Sequence, residues 1–325
     1  MAAEHPCREM QLTTLPQAVD PPPSLWRALR ARFVDPFLRG RVPDPRPATG
    51  FYTDTTICIG CKACEVACKQ WNQLPPDGYQ LSGNSYDNTV ELSATSWRHV
   101  KFIEQFPFEG LQLLTAPAVE AAADGPYPWQ GLSLEPTRNR WLMMSDVCKH
   151  CVTAPCHEAC PTGAIIQNEF ENILIQNDIC NGCAYCVAAC PFGVIGRSQS
   201  DGHSHKCTLC YDRQRDDLVP ACAKACPTES IKFGRIDDLR EKAARRVAEL
   251  HRRGVKEAYL YGDEPTNTYS QLHSFYLLVD CPSVYGLPDD PSNPWHNMAG
   301  DYVRAIAAIL TALFAFGVSL VLAGN

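Results

Sequence analysis

Sixteen of the eighteen cysteines in this chain of 325 residues stand in four groups of four, and this pattern limits the possible folds more than any other feature. The groups are Cys58, Cys61, Cys64 and Cys68; Cys148, Cys151, Cys156 and Cys160; Cys180, Cys183, Cys186 and Cys190; and Cys207, Cys210, Cys222 and Cys226. A chain with so many thiols at short, regular intervals either forms disulfides or binds metal.

The spacing favours iron–sulfur clusters over disulfides and zinc. Disulfide frameworks of this density are typical of small secreted domains. The N-terminal residues contain neither an apolar segment nor a twin-arginine pair, which predicts no export signal in this chain. Zinc sites usually combine two separated cysteine pairs or add histidines. The first and third groups instead have the spacing of bacterial two-cluster ferredoxins, where three close cysteines bind one cluster and the fourth binds another.

The residues around the cysteines suit [4Fe–4S] clusters. A tight loop with cysteines three residues apart can present three sulfurs to one cubane, and its backbone N–H groups stabilise the anionic cluster. Small residues lie inside the loops: Gly60, Ala63, Gly182 and Ala184. Apolar residues stand where they would shield a cluster from water: Ile57, Ile165, Val194 and Ile231. We therefore predict four [4Fe–4S] clusters.

The remaining candidate residues indicate no substrate chemistry. No serine–histidine pair, phosphate loop or carboxylate pair stands out, so we predict no catalytic residues. Cys7 and Cys281 are expected to be free thiols, and His150 and His157 are expected not to be cluster ligands. The formal net charge of −7 becomes more negative with anionic clusters bound, which argues against nucleic acid as a partner.

We divide the chain into seven parts according to composition, cysteine content and hydrophobic periodicity. They are a proline-rich arm (1–50) with a short helix at 24–34; the first cysteine group (51–72); an insertion (73–141); the second and third groups (142–196); the fourth group (197–235); a helix-and-strand extension ending in a proline linker (236–300); and a C-terminal anchor (301–325). Strands are expected at Trp97–Ile103, Trp141–Met144, Glu257–Tyr261 and Ser274–Asp280, and a helix at 236–253.

The segment Ala305–Ala323 contains nineteen residues without a charge. As a helix it would be ~28 Å long, close to the ~30 Å hydrocarbon core of a bilayer. We expect a single transmembrane helix here, and a buried core helix is the alternative.

Four stretches resemble one protein family: TTICIGCKACEVACKQWN (55–72), SDVCKHCVTAPCHEACPTGAI (145–165), DICNGCAYCVAACPFGVI (178–195) and HKCTLCYDR with PACAKACPTESI (205–231). They are similar to the iron–sulfur beta subunit of membrane-bound respiratory formate dehydrogenase. Beta subunits of other molybdopterin oxidoreductases and of some hydrogenases share the four-cluster core and form the alternative. Nitrate reductase beta subunits have tryptophan in place of a third-group cysteine, whereas this chain has Cys183.

The resemblance implies an α+β fold of tandem ferredoxin-like domains with pseudo-two-fold symmetry and a C-terminal transmembrane helix. It also implies the ligands of each cluster. Cluster 1 would be bound by Cys58, Cys61, Cys64 and Cys226; cluster 2 by Cys207, Cys210, Cys222 and Cys68; cluster 3 by Cys148, Cys151, Cys156 and Cys190; and cluster 4 by Cys180, Cys183, Cys186 and Cys160.

The family further implies the partners. Cluster 1 would lie nearest a catalytic alpha subunit with a molybdenum or tungsten pterin, and cluster 4 nearest a membrane subunit with haem b or a quinone site. The chain would then be no enzyme on its own but the electron-transfer subunit of one. Arg304 before the apolar segment weakly favours a cytoplasmic body by the positive-inside rule. The family instead places the body on the extracytoplasmic side, exported together with the alpha subunit, and we expect that side.

Overall fold

The computed structural model describes residues 46–78, 83, 86–105, 140–263, 271–289, 291 and 304–312. The strands and helices, in chain order, are β1 (Thr49–Asp54), α1 (Ala63–Trp71), β2 (Arg98–Gln105), β3 (Arg140–Val147), α2 (Pro155–Glu158), β4 (Ile165–Gln167), β5 (Ile173–Ile175), α3 (Tyr185–Ala189), β6 (Gly196–Arg197), β7 (Ser204–His205), α4 (Tyr211–Arg215), α5 (Ala221–Lys224), β8 (Ile231–Arg235), α6 (Ile236–Arg252), β9 (Tyr259–Tyr261) and β10 (Ser274–Leu278). Short 3-10 helices span Thr55–Ile57 and Pro282–Tyr285.

A four-stranded sheet in the order β8-β1-β10-β9 carries much of the core. Strand β1 pairs in parallel with β10 and antiparallel with β8. Both central strands are buried almost throughout, as expected for strands covered on two faces. Tyr52 of β1 stacks on Phe275 of β10, with ring centroids 5.5 Å apart. This sheet joins residues that are more than 200 positions apart in the sequence.

Helix α6 covers one face of this sheet. Its buried side chains recur at helical spacing: Ile236, Leu239, Ala243 and Leu250. Arg246 on the same helix donates from Nε to Oδ2 of the buried Asp54 at 2.9 Å, at the end of β1. Asp54 also caps the following 3-10 helix by accepting from the backbone N–H of Thr56. Arg240 of the same helix forms a second ion pair with Asp263 at 2.8 Å, so the helix is held by an apolar stripe and by two partly buried ion pairs.

The other strands form two-stranded antiparallel units beside the cysteine loops. The longest is the β2–β3 ribbon, in which Arg98 is opposite Val147 and Gln105 is opposite Arg140. The pairs β4–β5 and β6–β7 are much shorter. Helix α1 packs against α5, and α2 packs against α3. The first cysteine group thus lies beside the fourth, and the second lies beside the third.

The described part of the chain contains the predicted elements. The helix expected at 236–253 is α6, and the four expected strands are β2, β3, β9 and β10. The helix predicted at 24–34 lies outside the described residues. So do residues 106–139 of the predicted insertion and most of the linker at 288–294. The pseudo-two-fold symmetry and the domain boundaries stay predictions.

The expected transmembrane segment is described only in part. Residues 304–312 are helical and exposed, and residues 313–325 lie outside the described ranges. Among the described residues, no helix combines the length and the apolar character needed to cross a bilayer.

We expect Leu239→Ala to destabilise the protein much more than Lys242→Ala on the same helix. Leu239 is almost fully buried against the sheet, and truncating a buried leucine costs about 2–5 kcal/mol, whereas Lys242 is exposed. Thermal unfolding of the anaerobically prepared proteins, followed by circular dichroism, checks this. Equal unfolding temperatures for the two variants would contradict the packing of α6.

Candidate iron–sulfur centres

The loops that carry the first and third cysteine groups share an unusual backbone conformation. Gly60 and Lys62 have φ values of 65° and 58°, and the equivalent Gly182 and Ala184 have 71° and 63°. Alternating left-handed residues curl a loop so that successive backbone N–H groups point inward, which favours a bound anion. A Cβ atom on Gly60 would lie 2.6 Å from the ring of Phe102, so this position requires glycine.

A pocket is lined by the four cysteines that the resemblance assigns to cluster 1. We call them the Cys58 set: Cys58, Cys61, Cys64 and Cys226. Burial raises the pKa of the Cys58 thiol, and the charges of Cys226 and Cys61 raise it further. Val100 and Ile231 line the same pocket, so the structure places Ile231 where the predicted shielding of this site would require it.

A second pocket is lined by the four cysteines assigned to cluster 3. We call them the Cys148 set: Cys148, Cys151, Cys156 and Cys190. Burial raises the pKa of Cys151 well above its usual value, and the other three members of the set add to this effect. Ile173, Phe192 and the predicted Val194 supply an apolar lining. The predicted Ile57 and Ile165 do not line either pocket, although the backbone of Ile165 contacts the Cys160 sulfur.

The other eight cysteines are considered in two further sets, those that the resemblance assigns to clusters 2 and 4. We call them the Cys68 set (Cys68, Cys207, Cys210 and Cys222) and the Cys180 set (Cys160, Cys180, Cys183 and Cys186). Burial raises the pKa of Cys68, with contributions from all three of its partners. Burial likewise raises the pKa of Cys186, and the charges of Cys180, Cys160 and Cys183 add to it. The sixteen thiols are all free of disulfides.

Charge effects between thiols link the sets in the order Cys58 set, Cys68 set, Cys148 set and Cys180 set, which we call the series. Burial raises the pKa of Cys64 to about 12, and the charge of Cys222 from the Cys68 set contributes. The pKa of Cys207 is raised to about 12 by burial and then by Cys148, which belongs to the next set. Cys156 of the Cys148 set is influenced in the same way by Cys186 of the Cys180 set, which raises its pKa.

The two ends of this series are the most exposed parts of it. Cys61 in the Cys58 set and Cys183 in the Cys180 set are exposed, whereas every other member of the four sets is buried or half-buried. Exposed apolar residues accompany both ends. Ile59 and Val66 lie beside the Cys58 set, and Ile179 and Tyr185 lie beside the Cys180 set.

Buried cations stand among the sulfurs. Arg98, Lys149 and Lys206 are each no more than 2% exposed. Burial raises the pKa values of Cys151 and Cys156, but Lys149 opposes this effect at Cys151 and Lys206 opposes it at Cys156. Lys149 is paired with the carboxylate of Asp146, whereas the ion pairs of the described residues include none for Arg98 or Lys206. Because a buried cation is costly without a compensating anion, Arg98 and Lys206 suit anionic [4Fe–4S] clusters.

A single metal ion fits these sites less well. In the described ranges, no three cysteine, histidine, aspartate or glutamate side chains converge closely enough to bind one ion. A cubane lies between its ligands and keeps the four sulfurs further apart than one ion does. Arg98 and its neighbour Ser145 were not predicted from the sequence, because a single polar residue in a strand has no distinctive pattern around it.

Three further residues can now be placed. Cys281 is disulfide-bonded, so the expectation that it is a free thiol is wrong; Cys7 lies outside the described residues. His150 is fully buried, and its Nδ1 accepts from the backbone N–H of Ile173 at 3.2 Å. Burial lowers the pKa of His150 well below its usual value and keeps it neutral. His157 is exposed.

Comparison with known proteins agrees with this donor set. Two matches to 4Fe-4S dicluster domains cover residues 57–164 and 139–236. The formate dehydrogenase iron-sulfur subunit of Haemophilus influenzae is 38% identical over 73% of this chain and 68% of its own length. The formate dehydrogenase-O iron-sulfur subunit of Escherichia coli is 39% identical over 73% of this chain and 70% of its own length.

A more distant relative is the B subunit of the anaerobic dimethyl sulfoxide reductase of Escherichia coli, which is 30% identical over 59% of this chain and 76% of its own length. The dicluster domains and the formate dehydrogenase relatives together identify an electron-transfer subunit with [4Fe–4S] clusters and exclude a zinc or disulfide scaffold. With two dicluster domains and this identity over most of its length, the protein belongs to the family of formate dehydrogenase iron–sulfur subunits.

Proposed function

We propose that this electron-transfer subunit connects a molybdopterin catalytic formate dehydrogenase subunit, with molybdenum or tungsten, to a membrane subunit with cytochrome b or a quinone site. The [4Fe–4S] clusters supply one-electron oxidation and reduction. The protein binds four of them, and it has no catalytic residues of its own. The observation that carries the proposal is the series of four cysteine sets with exposed ends.

We assign cluster 1 to the Cys58 set, cluster 2 to the Cys68 set, cluster 3 to the Cys148 set and cluster 4 to the Cys180 set. The matching left-handed residues of the first and third loops also support a pseudo-two-fold relation between the two ferredoxin-like units. Cys61 with Ile59 and Val66 marks the surface toward the catalytic subunit. Cys183 with Tyr185 marks the surface toward the membrane subunit. Apolar residues at these ends suit permanent interfaces.

A second candidate is the corresponding subunit of another molybdopterin oxidoreductase or of a hydrogenase, and the similarity to the dimethyl sulfoxide reductase subunit favours keeping it. Identification of the large subunit that copurifies with this protein distinguishes the two candidates. Reduction of an artificial dye by formate in the purified complex supports the first, and a complex without formate activity contradicts it.

We further propose that the body lies on the extracytoplasmic side of a membrane and that residues 305–323 anchor it. The disulfide at Cys281 supports this side, because disulfides persist mainly in oxidising compartments. In the described part of the final segment, Ile306, Ile309 and Leu310 are each more than half exposed. Such apolar side chains suit a lipid environment or an apolar partner.

We predict about sixteen iron and sixteen acid-labile sulfide per chain, because four cubanes contain four of each. The measurement is iron and sulfide analysis of anaerobically purified complex after full reconstitution. Fewer than about twelve iron per chain would leave at least one of the four cysteine sets without a cubane and contradict the count of four.

We expect Cys183→Ser and Cys61→Ser to affect opposite ends of the series. Both should reduce formate-to-quinone electron transfer roughly tenfold or more, on the scale of disturbed metal sites. Both should keep dye reduction, which takes electrons at the catalytic subunit. They differ in the visible spectrum after formate addition: the remaining clusters should bleach in Cys183→Ser and stay oxidised in Cys61→Ser. Wild-type quinone reduction by Cys183→Ser would refute the assignment of its cluster to the membrane end.

Removal of residues 301–325 should release the chain and its catalytic partner from the membrane. Nineteen residues of this composition bury several hundred Å² of apolar surface in lipid, which contributes on the order of 10 kcal/mol. The truncated complex should keep its iron and its dye activity, since every proposed ligand precedes residue 227. Retention in the membrane pellet would show that other subunits hold the complex there.

The side of the membrane is tested with the full-length complex in the same preparations. Protease should digest the body in spheroplasts and leave it intact in inverted vesicles. The reverse pattern would place the body in the cytoplasm.

A further inference from the structure

Arg98 is a buried cation that touches two neighbouring cysteine sets. It is the first residue of β2 and is only 2% exposed. Its Nη2 donates to the Sγ of Cys222 at 3.3 Å, in the Cys68 set. Its Nη1 lies 3.2 Å from the Oγ of Ser145, which in turn lies 3.2 Å from the Sγ of Cys64, in the Cys58 set. One guanidinium therefore reaches both sets, one directly and the other through a hydroxyl.

The charge of Arg98 is compensated by sulfur rather than by carboxylate. Among the described residues, its hydrogen-bond partners are Cys222 and Ser145, and the guanidinium lies 4.7 Å from the ring centroid of Phe51. Burial would lower the pKa of Arg98, but Cys222, Cys64 and Cys207 together raise it above its usual value. Since a buried unpaired cation is very unfavourable, these contacts suit sulfurs that carry the negative charge of a bound cluster.

We infer that Arg98 sets the reduction potentials of the two clusters bound by the Cys58 set and the Cys68 set, and that Ser145 extends its effect to Cys64. This inference rests on the proposed function, since it requires clusters at both sites. When a cluster with four thiolate ligands accepts one electron, its total charge becomes more negative by one. A fixed positive charge in a medium of low dielectric constant stabilises the reduced form more than the oxidised form.

The hydrogen bonds act in the same direction. A thiolate ligand cannot donate a proton, so with a cluster bound the Ser145 hydroxyl donates to Cys64 while its oxygen accepts from Arg98. Hydrogen bonds to cluster sulfurs raise the potential. Arg98 neither gains nor loses a proton or an electron. The electron that leaves one cluster is the electron that the other accepts, and the guanidinium favours the reduced state at both positions.

The test measures the potentials of all four clusters in the full complex by potentiometric titration monitored by electron paramagnetic resonance, with iron and sulfide analysis of each variant. Arg98→Met should lower the midpoint potentials of two clusters. We expect a tenfold or larger loss in each reduction equilibrium constant, which corresponds to about 59 mV for a one-electron couple. Arg98→Lys, which keeps the charge, should restore part of the shift.

Two further variants separate charge, hydrogen bonding and simple destabilisation. Ser145→Ala should lower the potential of only one of the two clusters, because it removes the hydroxyl at Cys64 and leaves Arg98 on Cys222. Arg140→Met is the matched control: Arg140 lies at the far end of the same β2–β3 ribbon and pairs with Asp280. The Arg140→Met substitution removes one partly buried positive charge and should leave all four reduction potentials unchanged.

The outcomes show whether a negative result refutes this inference or the proposed function. If the wild-type complex contains too little iron for four clusters, the four-cluster assignment itself is refuted. Normal iron in Arg98→Met with four unchanged potentials refutes the role of Arg98. If Arg98→Met fails to assemble, Ser145→Ala decides: a shift confined to one cluster supports the inference, and no shift overturns it. An equal shift in Arg140→Met also overturns it, since the effect would then not be specific to Arg98.

Discussion

The burial of sulfur anions is the constraint on which the rest of this structure depends. Thiolates removed from water need compensation, and the interior supplies it in three forms: inward N–H groups from left-handed loops, buried cations and a few hydroxyls. Without metal, burial raises the pKa of thiols such as Cys64 and Cys207 and keeps them protonated at neutral pH. Cluster binding must therefore release protons, which couples assembly of the sites to folding.

The geometry of one short helix allows it to contribute to two sites. Cys64 and Cys68 are both on α1, one turn apart, so their sulfurs share a face and are displaced by ~6 Å along the axis. Cys64 joins the Cys58 set and Cys68 joins the next set in the series. In the proposed assignment, a spacing of four residues would thus give each group three ligands for its own site and one for the neighbouring site.

The sequence predicts local features well and long-range ones poorly. The apolar stripe of α6 and the β-branched and aromatic residues of β2, β3 and β10 are visible without a structure, because their periodicity is local. The strands β4 to β7 have two or three residues each, too few for a periodic pattern. Cysteine spacing identifies the four groups but leaves open which group provides the fourth cysteine of each site. The family resemblance implied that pairing of the groups. The parallel pairing of β1 with β10 had no local signal at all.

Arg98 shows why site residues outside the motifs escape such reasoning. Its position at the start of β2 looks like an ordinary polar strand end, and only the fold brings it between Cys222 and Ser145. The buried cations Arg98, Lys149 and Lys206 all lie within the series, whereas the end residues Cys61 and Cys183 are exposed. Water can solvate added charge at an exposed end, but in the interior only fixed charges and dipoles can do so. If electrons pass along the proposed series from one exposed end to the other, the added charge would need its compensating cations in the middle.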